Sequence, residues 1–325
     1  MSLADSSTAA WGRLWRQGLA HSFGGSDGPD GWRESPLADF WAERLPEGGP
    51  VRLLDLCTGN GVLLQSLLNL RSASDIVGVG VDLASVAPRW LETLSPSMRQ
   101  RVNLLSEVNI EALPFPLGSF DCVVSQFGIE YADLSKALAE AYRVLTPGGH
   151  FVAAIHHPNS RPVTMAHEEL AQIEWVLGSE LLPSATAMCH AMALLGQGPE
   201  ASRLHTETRW KLVRQRYDAV LAQLNARANT SPFPDFLRDV QIMIGSAFRS
   251  SVESGAQAGE LSLSELERTA KDSMQRLQQM ISSARTDEQL LAAMAQLSPG
   301  VTQINICPLW VQGHDFGHCL EFSKS

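Results

Sequence analysis

Apolar and polar positions follow two rhythms along this chain, and the changes between them mark its architecture. Val51, Leu53, Leu54 and Leu56 form a nearly continuous apolar run, the pattern of a strand covered on both faces. Val62, Leu63, Leu64, Leu67 and Leu68 then take helical spacing, and residues 76–81 return to strand composition. Residues 122–125 and 151–155 read as two further strands. Between them Leu134, Leu138, Tyr142 and Leu145 lie on one helical stripe, with Asp133 placed to cap it. This alternation predicts an α/β fold built on a doubly wound, mostly parallel sheet.

From residue 163 to 298 the rhythm is helical throughout. Breaks are expected at Pro183, at residues 196–199, at 230–234 and near 255–259. Ser264 with Glu267, and Thr286 with Gln289, fit capping boxes. Trp210, Val213, Tyr217, Val220 and Leu224 continue a stripe begun at Leu204. Residues 301–311 and 319–322 alternate apolar with polar, the pattern of a hairpin. Ahead of the first strand, Trp11, Leu14 and Trp15 share a helical face, residues 24–31 form a glycine-rich loop, and residues 32–45 look helical with Leu37, Phe40, Trp41 and Leu45 inward. These aromatics either pack on the sheet or form a lid, for which His21 and Phe23 beside the loop are the better candidates. Four regions result: an N-terminal helical extension (1–49), a core (50–162), a helical insertion (163–298) and a C-terminal hairpin (299–325).

Charge narrows the partners. The chain of 325 residues carries 35 acidic against 25 basic side chains, a net charge of −10, opposite to what a general phosphate-backbone binder needs. Arg209, Lys211, Arg214 and Arg216 point around their helix and read as a solvated surface. The five cysteines are scattered without a Cys-x-x-Cys pair, a reduced intracellular pattern. No signal-peptide pattern or membrane-length apolar run is present, so a soluble cytoplasmic protein is expected.

Chemistry enters at the turn after the first strand, Asp55-Leu56-Cys57-Thr58-Gly59-Asn60-Gly61. Its glycines let the backbone bend sharply and let a ligand lie directly against it. Asp82 ends the second strand, about 20 positions past that turn, where nucleoside-binding α/β units place their ribose contact. Asp55-x-x-x-Gly59-x-Gly61 resembles the cofactor loop of class I (Rossmann-like) methyltransferases dependent on S-adenosylmethionine (SAM). The segment 109–121, with Leu113-Pro114-Phe115 and Phe120-Asp121, and the segment Arg143-Val144-Leu145-Thr146-Pro147-Gly148-Gly149 resemble the same family in order. The resemblance covers roughly residues 50–157.

That resemblance implies SAM as cofactor. Gly59 and Gly61 would lie against it with Asp55 below the loop. Asp82, with Leu83 beside it, would serve the ribose, Asn109 and Ile110 the adenine, and Gln126 and Phe127 the methionine end. Asn109 stands where the family often has Asp, yet keeps a carbonyl acceptor. The family's sheet ends in an antiparallel hairpin, so the helical block becomes an insertion expected to cap the strand ends.

His156 and His157 leave the fifth strand near the expected transfer centre. They suit either a general base or a backbone-bonded turn. Tyr131, after the fourth strand, is placed to orient or deprotonate the substrate with them. Adjacent strand-end residues point to opposite sides, and His314 with His318 lacks a carboxylate set, so no metal is expected. The reading is a SAM-dependent methyltransferase for a small or medium-sized organic acceptor held under the helical cap, with a homodimer left open, nucleic acid disfavoured and no membrane partner. The alternatives are a non-catalytic regulatory or scaffold subunit that binds a partner through the insertion, and a protein or RNA methyltransferase.

Overall fold

The computed structural model describes residues 3–18, 37–45, 50–70, 76–195, 208–297 and 300–325. His21 and Phe23 lie outside them. The chain divides into two compact units: residues 1–164 with 279–325, and residues 165–278.

The first unit is built on seven strands: β1 (Val51–Leu56), β2 (Ile76–Val81), β3 (Val102–Leu105), β4 (Phe120–Gln126), β5 (Leu145–Ile155), β6 (Val301–Val311) and β7 (His314–Lys324). They form one sheet in the order β3-β2-β1-β4-β5-β7-β6. The β1–β2, β1–β4, β2–β3 and β4–β5 pairs are parallel; the β5–β7 and β6–β7 pairs are antiparallel. This is the doubly wound sheet with a terminal hairpin that the sequence pattern predicted.

Alternation along the strands divides the core between two faces. Leu53, Cys122, Val124 and Val152 pack with Leu64 and Leu67 of α3 (Val62–Leu70) and with Trp41 of α2 (Ala38–Ala42). Leu54, Val123, Phe151 and Phe322 face the other way, onto Leu138 of α5 (Leu134–Val144). The short α4 (Pro96–Arg99) precedes β3. Phe151 and Phe322 are register partners whose rings stack at 4.7 Å, both fully buried. Truncating either to Ala would cost about 3–5 kcal/mol.

The hairpin turns at Gln312 and Gly313, with φ of 50° and 79°, in the left-handed pair that matches strand twist. It is tighter than the sequence suggested, so His314 and His318 lie on strand β7 rather than in a turn. Helix α2 spans only Ala38–Ala42 within the longer helix expected over 32–45. Residues 32–36 are outside the described residues.

The second unit is helical, and no strand occurs among its described residues. It contains α7 (Leu181–Leu195), α8 (Thr208–Thr230), α9 (Asp235–Ser254), and most of α6 (Arg161–Gly178) and α10 (Ala256–Ser283). Val176, Leu181, Cys189, Tyr217, Leu224, Leu237, Val240, Ile244 and Leu263 share its core. Lys211, Arg214 and Arg216 are exposed on α8, while Trp210 and Tyr217 are buried.

The break expected near 255–259 falls at Gly255, between α9 and α10, while the helix start expected at Ser264 and Glu267 is absent, because that segment and Gly259 lie inside α10. Gly259 instead permits close packing, since a Cβ there would meet Ala247 O and Cys189 Sγ at 2.8 Å. The capping box at Thr286 and Gln289 does form, opening α11 (Asp287–Met294). Leu290, Ala293 and Met294 of α11 join the sheet core, so residues 279–297 group with the sheet rather than with the inserted helices.

Candidate active site

The site is assembled where the parallel strands end, the usual ligand position in an open α/β sheet. Thr58 N–H donates to Val81 O at 2.9 Å, which ties the turn after β1 to the end of β2. Asp82 strengthens that tie. Its Oδ2 accepts from Gly59 N–H at 2.9 Å and its Oδ1 accepts from Ala84 N–H at 2.8 Å. Asp55 sits beneath the turn, 1% exposed, and accepts from the Thr58 hydroxyl at 2.6 Å.

Gly59 holds φ at +53°, a conformation that costs a residue with a Cβ. Gly61, at +79°, faces Leu104 and Trp90 rather than open space; a Cβ there would come within 2.7 Å of Leu104 Cδ2. Its freedom therefore serves the packing of the loop itself. Asn109 closes a local turn, its Oδ1 accepting from Glu111 N–H at 2.9 Å. Ile110 beside it is buried, while Leu83 is 53% exposed.

A second cluster forms after β4 and β5. Gln126 Oε1 accepts from Trp41 Nε1 at 2.6 Å. Phe127 takes φ +52° and lays its ring on His156, with centroids 4.5 Å apart. Tyr131 meets His156 edge-on at 6.3 Å. His157 turns to the other side and stacks on His318 at 4.3 Å. The two histidines therefore do not converge; only His156 joins Tyr131.

Glu130 was not singled out from sequence, because Ile129-Glu130-Tyr131 reads as an ordinary loop. It is 0% exposed, and its Oε1 accepts from both the backbone N–H (3.0 Å) and Nδ1 (2.7 Å) of His156. Arg285 stitches the same loops: its N–H donates to His156 O at 2.8 Å and its Nη2 to Glu130 O at 3.0 Å. Its distance in sequence hid it too.

The N-terminal helix α1 (Leu3–Arg16) covers part of this region. Trp15 and Leu14 pack on Ala84, Trp15 O accepts from Asn60 Nδ2 at 2.9 Å, and the Trp11 ring lies edge-on to Tyr131 at 5.9 Å.

Electrostatically the site is acidic, and its carboxyls are buried. Burial raises the Asp55 carboxyl from 3.8 to about 7, against the lowering effect of the Thr58 hydrogen bond, and it also raises Asp82. Burial, reinforced by the Glu130 charge, drives the Tyr131 hydroxyl well above 10, so this phenol donates and does not act as a base near neutral pH. Among the described residues Glu130 Oε2 has no hydrogen-bond partner. Buried carboxyls in this number suit a ligand carrying positive charge, and SAM brings a sulfonium and an ammonium. Asp55, Gly59, Asp82 and Gln126 would hold it, and the group would supply an electrophilic methyl carbon.

Residues 54–153 match the methyltransferase domain family. A demethylmenaquinone methyltransferase of Thermus thermophilus is 39% identical over 109 residues, which is 33% of this chain and 47% of that protein. The Deinococcus radiodurans enzyme of the same name is 34% identical over 125 residues, 38% of this chain and 48% of its own. The chain thus spans about half the length of these curated relatives. A SAM-dependent methyltransferase structure from Mesorhizobium loti aligns over 42% of this chain and 59% of its own, with 24% identity and a TM-score of 0.34. Residues 54–153 thus match the methyltransferase domain family, and the strand order, the glycine turn and Asp82 are consistent with that match.

Proposed function

We propose that this protein is a SAM-dependent methyltransferase that alkylates a small organic acceptor. The observation that carries the reading is the bond from Gly59 N–H to Asp82 Oδ2, within the region that matches the methyltransferase domain. It fixes the glycine turn against the acidic end of β2, the pairing a nucleoside ligand needs. Proximity and alignment then supply most of the rate. His156 is the assigned base and Tyr131 an orienting donor; His157 has no assigned role.

Relatives matching this chain are named demethylmenaquinone methyltransferases and ubiquinone/menaquinone biosynthesis C-methyltransferases. Reduced quinone precursors therefore head the acceptor panel, with carbon methylation the first reaction to assay. The test is calorimetry with S-adenosylhomocysteine, followed by transfer of a labelled methyl group to that panel. Binding heat and methylation of a small acceptor are the expected results. A folded sample that gives no heat at millimolar ligand would remove the proposal.

A further inference from the structure

Glu130 is the buried charged group that the scheme above leaves without a task. It lies in the turn after β4, Ile129–Tyr131, and it reaches the residue that follows β5. Two donors converge on one oxygen: the backbone N–H of His156 at 3.0 Å and its ring Nδ1 at 2.7 Å. The backbone donor cannot be reversed, so Oε1 is held as an acceptor. A ring nitrogen 2.7 Å from that oxygen then carries the proton.

The ring is also held in place. Phe127 lies against its face, Tyr131 meets it edge-on, and the Arg285 backbone N–H bonds its carbonyl. Glu130 is fixed in turn, because Arg285 Nη2 bonds its carbonyl. Among the described residues Glu130 Oε2 meets no donor, and the His156 ring is the side-chain group that answers this carboxyl. Burying a carboxylate that way is costly unless the charge does work. It is placed to neutralise an imidazolium.

We propose that Glu130 is a positioning residue for His156: through Oε1 it fixes the Nδ1–H tautomer and ring orientation, which makes Nε2 the basic atom. This rests on the methyltransferase reading and deepens it, because it limits the acceptor to groups that surrender a proton, such as a phenol or a reduced quinone. The acceptor's proton passes to Nε2, the Glu130 carboxyl faces the resulting imidazolium through Oε1, and the proton leaves to solvent after product release. The arrangement follows the logic of a carboxylate–imidazole pair, in which the carboxylate sets tautomer and charge and takes no proton itself.

The test begins with ligand-free protein containing nitrogen-15-labelled histidine, in which the His156 signal is identified by its loss in His156→Gln. The expected result is an Nδ1–H, Nε2-lone-pair tautomer in the parent protein. Glu130→Gln retains it, because the amide oxygen still accepts both donors. Glu130→Leu yields a mixture. An Nε2–H tautomer in the parent, or an unchanged tautomer in folded Glu130→Leu, overturns the assignment whatever the activity. A second arm measures methyl transfer: Glu130→Gln should lower kcat by about tenfold or more, with KM and S-adenosylhomocysteine affinity unchanged. A normal kcat in that variant overturns the part of the proposal in which the Glu130 charge answers the imidazolium, and a normal kcat in folded Glu130→Leu overturns the positioning role. Failure of the parent to bind S-adenosylhomocysteine removes the function instead, and the tautomer measurement tells the two failures apart.

Discussion

The ring of Trp15 lies directly over Gly59, so close that a Cβ on the glycine would come within 2.7 Å of the indole. The same tryptophan stacks on Trp11 at 5.7 Å, and Trp11 reaches Tyr131. Helix α1 thus joins the glycine turn after β1 to the loop after β4 with a wall of aromatic rings. Aromatic faces attract sulfonium and ammonium groups, and burial strengthens that attraction.

A ligand that lies against Gly59 must change the surroundings of Trp15. Intrinsic tryptophan fluorescence should therefore shift when S-adenosylhomocysteine is added, and Trp15→Phe should remove most of the change. If the signal is the same size in Trp15→Phe, the indole does not contact the ligand.

Asp82 uses each oxygen for a different backbone N–H, from Gly59 and from Ala84. Asp82→Asn keeps one acceptor and turns an amide N–H₂ toward the other donor. Leaving a buried donor unmatched costs about 1–3 kcal/mol. Calorimetry should show S-adenosylhomocysteine binding weakened by roughly tenfold or more, with a lower Tm. Unchanged affinity would separate Asp82 from the cofactor site.

Tyr131 stays protonated because burial opposes its phenolate. Tyr131→Phe should therefore alter KM or kcat by a constant factor from pH 6 to 9, leaving the shape of the pH–rate profile intact. Loss of an alkaline limb in that variant would show that the phenol titrates in the working range after all.

Six of the seven strands were legible in the sequence because their signal is local; β3, only four residues long, was not read. Leu53 to Leu56 and residues 151–155 are buried on both faces, and a nearly continuous apolar run follows from that. The hairpin showed itself by alternation, and Thr286 with Gln289 by a motif that works wherever a helix actually starts. Ser264 with Glu267 has the same letters but lies in mid-helix, where Glu267 pairs with Lys271 one turn on. The glycine turn and Asp82 were readable as sequence landmarks 23 positions apart. The Glu130–His156 pair was not, because it spans 26 positions and exists only once β4 and β5 lie side by side. Nor could the sequence show that His156 and His157 face opposite ways with different partners: a strand rule separates their directions without naming what each one meets.

Asp55 links stability to pH in an unusual direction. Burial raises its carboxyl from 3.8 to about 7, with Asp82 adding a smaller push the same way. Below pH 4 the folded and unfolded chains both hold the proton, and the folded state carries no penalty. Between about 4 and 7 the folded chain keeps a proton that the unfolded chain has released, so stability falls as pH rises. Above 7 the penalty is complete. Asp55→Asn mimics the protonated form and retains an oxygen for the Thr58 hydroxyl. It should therefore raise Tm at pH 8 by about 2 °C or more and flatten the fall in Tm between pH 4 and 7. A cationic ligand draws Asp55 back to its carboxylate, so SAM binding near pH 7 should release protons, and the variant should not. Calorimetry in buffers of different ionisation heat measures that release. Parallel Tm curves for the two proteins, or equal proton release, would show that Asp55 is already ionised in the ligand-free fold.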